Sequence, residues 1–127
     1  LSNMKIWGEY IQAHNDRDFE KIASMNAEDF SVVMANGQTV VGSKAQRETL
    51  EGRIRESNTT WEIQWIIPNN AENDDGEMEE WLATGQMLTM TDSEGNTSME
   101  YHLVDVKLDE GKIALGYVAS MENLTAQ

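Results

Sequence analysis

The chain has 127 residues, and 9 basic against 23 acidic side chains give it a formal charge of −14. The length suits one domain, 1–127, with a core burying roughly two-thirds of the unfolded surface, and the acidity argues against phosphate backbones and anionic lipid, so no nucleic acid or membrane partner is expected. With 39% hydrophobic residues, four Trp, eight Met, one Pro and no Cys, the composition is globular and excludes disulfides, thiolate metal sites and cysteine nucleophiles.

In chain order, Met4, Trp7, Ile11 and His14 recur at helical spacing, predicting an amphipathic helix from about Ser2 to Asn15. Asn15-Asp16-Arg17-Asp18 breaks it, and Asp18 can cap a short second helix whose inner face carries Phe19, Ile22 and Ala23. The β-prone run from Phe30 to Met34 follows, then Asn36-Gly37, which predicts a two-residue hairpin turn with a returning strand through Val40 and Val41. Ser43 with Gln46 three residues later forms a capping-box pattern that opens a third helix, with Leu50 and Ile54 on its buried face.

The remainder alternates with period two. Residues 60–67 put Trp61, Ile63, Trp65 and Ile67 on one side. A polar, acidic loop from Pro68 precedes a long strand over about Glu80–Thr91. A turn at 92–96 leads to a second strand over about Thr97–Leu108, and Asp109–Lys112 turns the chain into a last one. Strands of ten residues extend ~33 Å, and a sheet that long twists and curls. Three helices covering its concave side would leave a cone with a pocket at one end. The expected class is α+β: a cone-shaped, curled, mostly antiparallel sheet wrapped around three N-terminal helices, with the small hairpin at the sheet edge.

This pattern resembles the nuclear transport factor 2-like superfamily, in particular its SnoaL-like and ketosteroid-isomerase-like branch, and so a cystatin-like α+β barrel. The stretch from Tyr10 to Leu50 carries the resemblance, with Ala27-Glu28-Asp29 after the helix pair and Gly42-Ser43-Lys44-Ala45-Gln46-Arg47 opening the third helix; 102–121 completes it. The fold hosts isomerases, dehydratases, cyclases, epoxide hydrolases and non-enzymatic binding modules, so fold alone does not give the chemistry. For the isomerases, the resemblance implies an oxyanion-hole tyrosine at Tyr10, eight residues before Asp18. It places the catalytic aspartate at Met34 and the protonated aspartic acid at Val104. Both carboxyl groups are replaced by apolar side chains, which disfavours ketosteroid isomerase chemistry.

Several side chains remain as site candidates. His102 shares a strand face with Glu100, Val104, Val106 and Leu108, a face that the resemblance turns inward, and imidazole suits a general base or acid. It is equally a half-buried strand histidine bonded to a neighbour. Tyr10 and His14, one helical turn apart, would orient a ligand oxygen, or else pack under the sheet and cap the helix. Trp7, Met34, Ile54, Val104 and Val106 are the expected pocket wall. The remaining Trp and Met residues divide between that wall, the core and a dimer face, since Trp61, Ile63 and Trp65 look too apolar for open water.

The acidic clusters lack calcium-loop spacing and no His, Asp and Glu set has zinc spacing, so neither metal nor organic cofactor is expected. Asn58-Thr59-Thr60, Asn96-Thr97-Ser98 and Asn123-Leu124-Thr125 match the N-glycosylation pattern, relevant only on a eukaryotic secretory route. No apolar run approaches the ~20 residues of a membrane span, and both cytoplasmic residence and export after loss of a leader stay open. The expectation is a small-molecule-binding protein, with cofactor-independent acid/base chemistry such as isomerisation, dehydration or cyclisation on a hydrophobic ligand if it is an enzyme. The alternative is a non-catalytic dimerisation or partner-binding module, and a homodimer through the sheet is expected in either case.

Overall fold

The computed structural model describes residues 2–124. Helix α1 (Asn3–Asn15) opens where the Ser2 hydroxyl accepts from the Lys5 backbone N–H. It closes in a Schellman motif, with Arg17 N–H donating to the His14 carbonyl and Asp18 N–H to that of Ala13. Arg17 therefore takes the left-handed conformation usual for glycine, at φ 58°. Its guanidinium holds that conformation by donating to the His14 and Thr59 carbonyls and to Asn58 Oδ1. Asp18 caps α2 (Phe19–Met25) through the Lys21 N–H, as expected.

Strands β1 (Asn26–Val33) and β2 (Thr39–Val41) form the small hairpin and lead into α3 (Gly42–Glu56). The long strands follow: β3 (Asn58–Pro68), β5 (Met78–Thr91), β6 (Thr97–Asp109) and β7 (Lys112–Leu124). A two-residue strand, β4 (Ala71–Glu72), pairs with the start of β5 inside the stretch read as a plain acidic loop. The curled, open sheet has the order β2-β1-β7-β6-β5-β3 and holds the three helices, an α+β architecture as expected. Its neighbours are antiparallel except β1 and β7, which run parallel. The core joins Ile6, Trp7 and Ile11 of α1 and Ile22 of α2 to Phe30, Leu82, Val106, Leu108 and Ile113 of the sheet. No helix among the described residues is long and apolar enough to cross a membrane.

Three local expectations are corrected. The β1–β2 turn is a three-residue loop, not a two-residue one: Met34 N–H donates to Gln38, Gly37 N–H donates to Met34, and Gly37 sits at φ 87°. The same loop recurs at 73–77 and 92–96, with Gly76 and Gly95 in the matching place. The true two-residue turn is Glu110-Gly111, with both residues at positive φ.

The capping box at the start of α3 does not form. Val41 occupies the cap without a side-chain bond, because Ser43 and Gln46 turn instead to Asn26. Finally, Trp61, Ile63, Trp65 and Ile67 do not share one face. Ile63 pairs with Gln86 and Trp65 with Gly85, so Gln64 is an extra residue in the ladder. Such a bulge reverses the side-chain parity beyond it. Trp61, Ile63 and Ile66 face the helices, whereas Trp65 and Ile67 emerge on the outer face.

Candidate functional site

Between α1, α3 and the inner face of the sheet lies a cavity of about 130 Å3. Trp7, Tyr10, Ile11 and His14 line it from α1, and Gln46, Thr49, Leu50 and Arg53 from α3. The hairpin contributes Phe30, Val32, Met34 and Val40. From the sheet come Trp61, Gln86, Leu88, His102, Val104 and Val106, with Ile113, Gly116 and Val118 of β7. Of the residues singled out in the sequence, Tyr10, His14, His102, Trp7, Met34, Val104 and Val106 thus meet around one space. Ile54 does not: it is half-buried on α3 and absent from the wall. Met34 and Val104 put apolar surface where the resemblance implied carboxyl groups, and no Asp or Glu is among the lining residues.

The polar groups on this wall differ in how far their hydrogen-bonding capacity is already used. Tyr10 is buried, and its hydroxyl donates to Asn26 Oδ1 at 2.7 Å. Asn26 Nδ2 donates to Gln46 Oε1 at 2.7 Å, and Gln46 Nε2 returns to the Tyr10 hydroxyl at 2.6 Å. The three side chains make a closed ring of bonds, in which each donor polarises the next. The phenol proton is therefore committed to Asn26. Burial, only partly offset by the bonds from Gln46 and Asn26, also pushes the phenol pKa well above its ordinary value. Tyr10 is a fixed, neutral strut.

His14 is bonded on one side only. Its Nδ1 lies 2.7 Å from the Tyr10 carbonyl, an oxygen that can only accept, so Nδ1 carries the hydrogen. Nε2 is left as a bare lone pair, with no hydrogen-bond partner among the described residues. Burial lowers the His14 pKa to about 4, with the Tyr10 carbonyl opposing and Arg17 assisting, so the ring is neutral at neutral pH. The rings of Tyr10 and Trp61 hold it edge-on, with centroids 4.9 and 5.3 Å away. Gln86 is used in half as well. Its Oε1 accepts from the Trp7 indole at 2.9 Å. Because the indole only donates, this bond also settles which end of the amide is oxygen.

At the more open end, His102 Nε2 lies 2.9 Å from Glu100 Oε1. The two alternate along β6 on the inner face, and the carboxylate holds the ring with hydrogen on Nε2 and the Nδ1 lone pair free when neutral. Burial lowers the His102 pKa below the usual imidazole value, and Glu100 opposes without cancelling it. Arg53 of α3 approaches Glu100 at 3.6 Å and Met90 Sδ at 3.5 Å. Ser120, the register partner of His102 on β7, has a buried hydroxyl oxygen with no hydrogen-bond partner among the described residues. The arrangement is that of a carboxylate-oriented imidazole flanked by a guanidinium. It can accept or return a proton at the mouth of an apolar space. No three His, Asp or Glu side chains among the described residues converge as metal ligands would.

The outer face of the sheet is a second feature. Trp65 donates through its indole N–H to the Tyr101 hydroxyl across Gly85. Trp81 stacks on Tyr117 with centroids 6.2 Å apart. Ile67, Leu103, Tyr117 and Met121 are exposed by 56, 39, 47 and 57%. The third glycosylation pattern ends at Thr125, outside the described residues.

No family model matches the chain, and no curated protein does. Solved structures do resemble it. One is the epoxide hydrolase/cyclase-like enzyme SalBIII, with a role in pyran ring formation in the polyether salinomycin. It is 22% identical, with a TM-score of 0.71 over 94% of this chain and 90% of that one. An NTF2-like protein of unknown function from Burkholderia pseudomallei is 13% identical, with a TM-score of 0.75 over 93% and 90%. A cystatin-fold protein from Novosphingobium aromaticivorans is 15% identical, with a TM-score of 0.69 over 93% and 97%. At such identities the likeness is one of architecture: the chain has the nuclear transport factor 2-like, cystatin-like α+β fold.

Proposed function

We propose that the chain binds a small, largely apolar molecule in the cone cavity, and that the Glu100–His102 pair at its mouth supplies acid/base chemistry to it. One observation carries this reading: a single cavity is bounded both by apolar side chains of α1, β5 and β6 and by an imidazole oriented by a carboxylate, whose charged form burial disfavours. The similarity to an epoxide hydrolase/cyclase-like enzyme is in keeping with ring closure, isomerisation or dehydration, reactions that need a positioned proton acceptor. The size limits the ligand. At about 130 Å3 the space is near the ~150 Å3 that admits benzene in an engineered core, and below the roughly 300 Å3 of pockets for drug-sized molecules. A polycyclic substrate would extend past Arg53 and Thr49 into solvent.

The test is a thermal-shift screen with single-ring aromatics, terpenoids, polyketide-like aromatics and steroids, on the wild type and on Val104→Trp, which fills the cavity. A ligand at a hundredfold its Kd adds about 2.7 kcal/mol, roughly 10 °C for a chain of this size. That shift should vanish in Val104→Trp. Turnover of any bound compound should fall about 10²- to 10⁴-fold in His102→Ala. Equal stabilisation of both proteins, or no stabilisation by any class, would refute the reading.

The exposed apolar side chains of the outer face favour a second role, a homodimer formed through the sheet. Burying Leu103, Tyr117, Met121 and Ile67 against a second copy would remove them from water. Light scattering should give a dimer that Leu103→Glu/Tyr117→Glu converts to a folded monomer.

A further inference from the structure

The inner wall of the cavity has two polar atoms that the fold leaves unused. One is His14 Nε2, a lone pair on a neutral ring whose other nitrogen is fixed to the Tyr10 carbonyl. The other is Gln86 Nε2, the donor end of an amide whose oxygen is fixed by Trp7. Both side chains are buried, with residue exposures of 9% and 1%, and both line the cavity. Among the described residues neither atom has a hydrogen-bond partner, nor do they bond each other. Neither atom is sealed in protein as the Ser120 hydroxyl oxygen is, so each can still take a partner. The contrast with the closed Tyr10–Asn26–Gln46 ring on the same wall is direct, because there each of the corresponding groups is satisfied.

One acceptor and one donor are therefore left on the buried side of a mostly apolar space large enough for one ring, with Thr49, Arg53 and His102 at its more open end. Resting on the ligand-binding reading above, we infer that the cavity selects an uncharged, hydroxylated single-ring molecule, a phenol or cyclic enol. Its O–H donates to His14 Nε2, and its hydroxyl or a neighbouring carbonyl oxygen accepts from Gln86 Nε2. The charge follows from the wall. His14 is neutral, no carboxylate lines the space, and the guanidinium of Arg53 is at the mouth beside Glu100. A phenolate or carboxylate placed between Leu88 and Val106 would lose its hydration, and the one guanidinium among the lining residues, Arg53, already faces Glu100.

The experiment uses three probes of similar volume, toluene, benzaldehyde and 3-hydroxybenzaldehyde, with affinities measured by calorimetry on the wild type, His14→Phe and Gln86→Met. Two net hydrogen bonds of ordinary strength correspond to about tenfold or more in Kd. The wild type should bind 3-hydroxybenzaldehyde at least tenfold more tightly than toluene, with benzaldehyde between them. The ratio should collapse in either variant while toluene binding persists. Because Gln86→Met leaves the Trp7 indole without its acceptor, a second readout is taken on the wild type. The His14 Nε2 resonance in long-range proton–nitrogen spectra should move from its bare-nitrogen position when 3-hydroxybenzaldehyde binds, and not with toluene. Equal affinities for all three probes, or an unmoved Nε2 resonance, would overturn this inference while leaving the cavity a ligand site. Binding of none of the three would overturn both.

Discussion

His14 makes stability depend on pH in a way that can be isolated. In the folded chain its pKa is about 4, mainly because burial disfavours the charged ring, against 6.5 for an ordinary histidine. Between these values the unfolded chain binds a proton that the folded chain refuses, so folding stability falls as pH falls. The whole interval corresponds to about 3 kcal/mol at about 1.4 kcal/mol per pH unit. Integrating the two titrations puts about 2 kcal/mol of loss between pH 7 and 5, and about 3 kcal/mol between pH 7 and 4. Above pH 7 the effect is absent, because the ring is neutral in both states. Other groups contribute, since His102 is also lowered and the acid-side carboxylates Glu79 and Asp92 titrate below their ordinary range. The comparison is therefore with His14→Phe, which keeps the ring contacts to Tyr10 and Trp61 and removes the titration. Urea unfolding of both proteins at pH 7, 6, 5 and 4.5 should show the wild type losing about 2 kcal/mol more than the variant by pH 5. Parallel profiles would refute the premise that His14 is held neutral by its surroundings.

Three further outcomes test the packing behind the site. Gly85→Ala would place a Cβ 2.5 Å from both the Trp65 indole nitrogen and the Tyr101 hydroxyl, so their bond must break; a loss of about 1–3 kcal/mol in urea is expected. Tyr10→Phe strips partners from Asn26 Oδ1 and Gln46 Nε2 together, and should cost about 2 kcal/mol or more in the same assay. At Arg17, with φ 58°, both Ala and Gly forfeit the guanidinium bonds, but only Ala retains left-handed strain. Arg17→Gly should therefore be about 1 kcal/mol more stable than Arg17→Ala.

The helices, the long strands and their curl were legible because they follow from periodicity, which is a local property of the chain. What was not legible depends on one-residue shifts or on distant partners. Residues 60–67 alternate cleanly, and nothing in them marks Gln64 as the extra residue; the bulge appears only when Ile63 pairs with Gln86 and Trp65 with Gly85. Ser43 and Gln46 satisfy a capping-box spacing, yet Asn26, some twenty residues earlier, offers them a buried amide and wins. The Asn36-Gly37 signal was right about a turn and wrong about its length, because the glycine takes the third loop position, not the second. Glu100 could be read from its two-residue spacing to His102. Gln86 carried a weaker mark, as the amide in an inward row otherwise made of Leu82, Thr84, Leu88 and Met90.

The wall of the cavity then separates two kinds of polar group that sequence treats alike. Tyr10, Asn26 and Gln46 look reactive by residue type, but their bonds close on one another, so they brace α1 against β1 and α3 and offer a ligand little. His14, Gln86 and His102 each retain an unmatched atom, and each is held by a bond that restricts its motion. Preorganised, unsatisfied groups gain the most from a partner, because their desolvation and ordering costs are met in folding. On the ligand-binding reading proposed above, the groups with bonding capacity to spare for a ligand are the His14 and Gln86 nitrogens inside and the His102–Glu100 pair at the rim, and not the tyrosine that the fold first draws attention to.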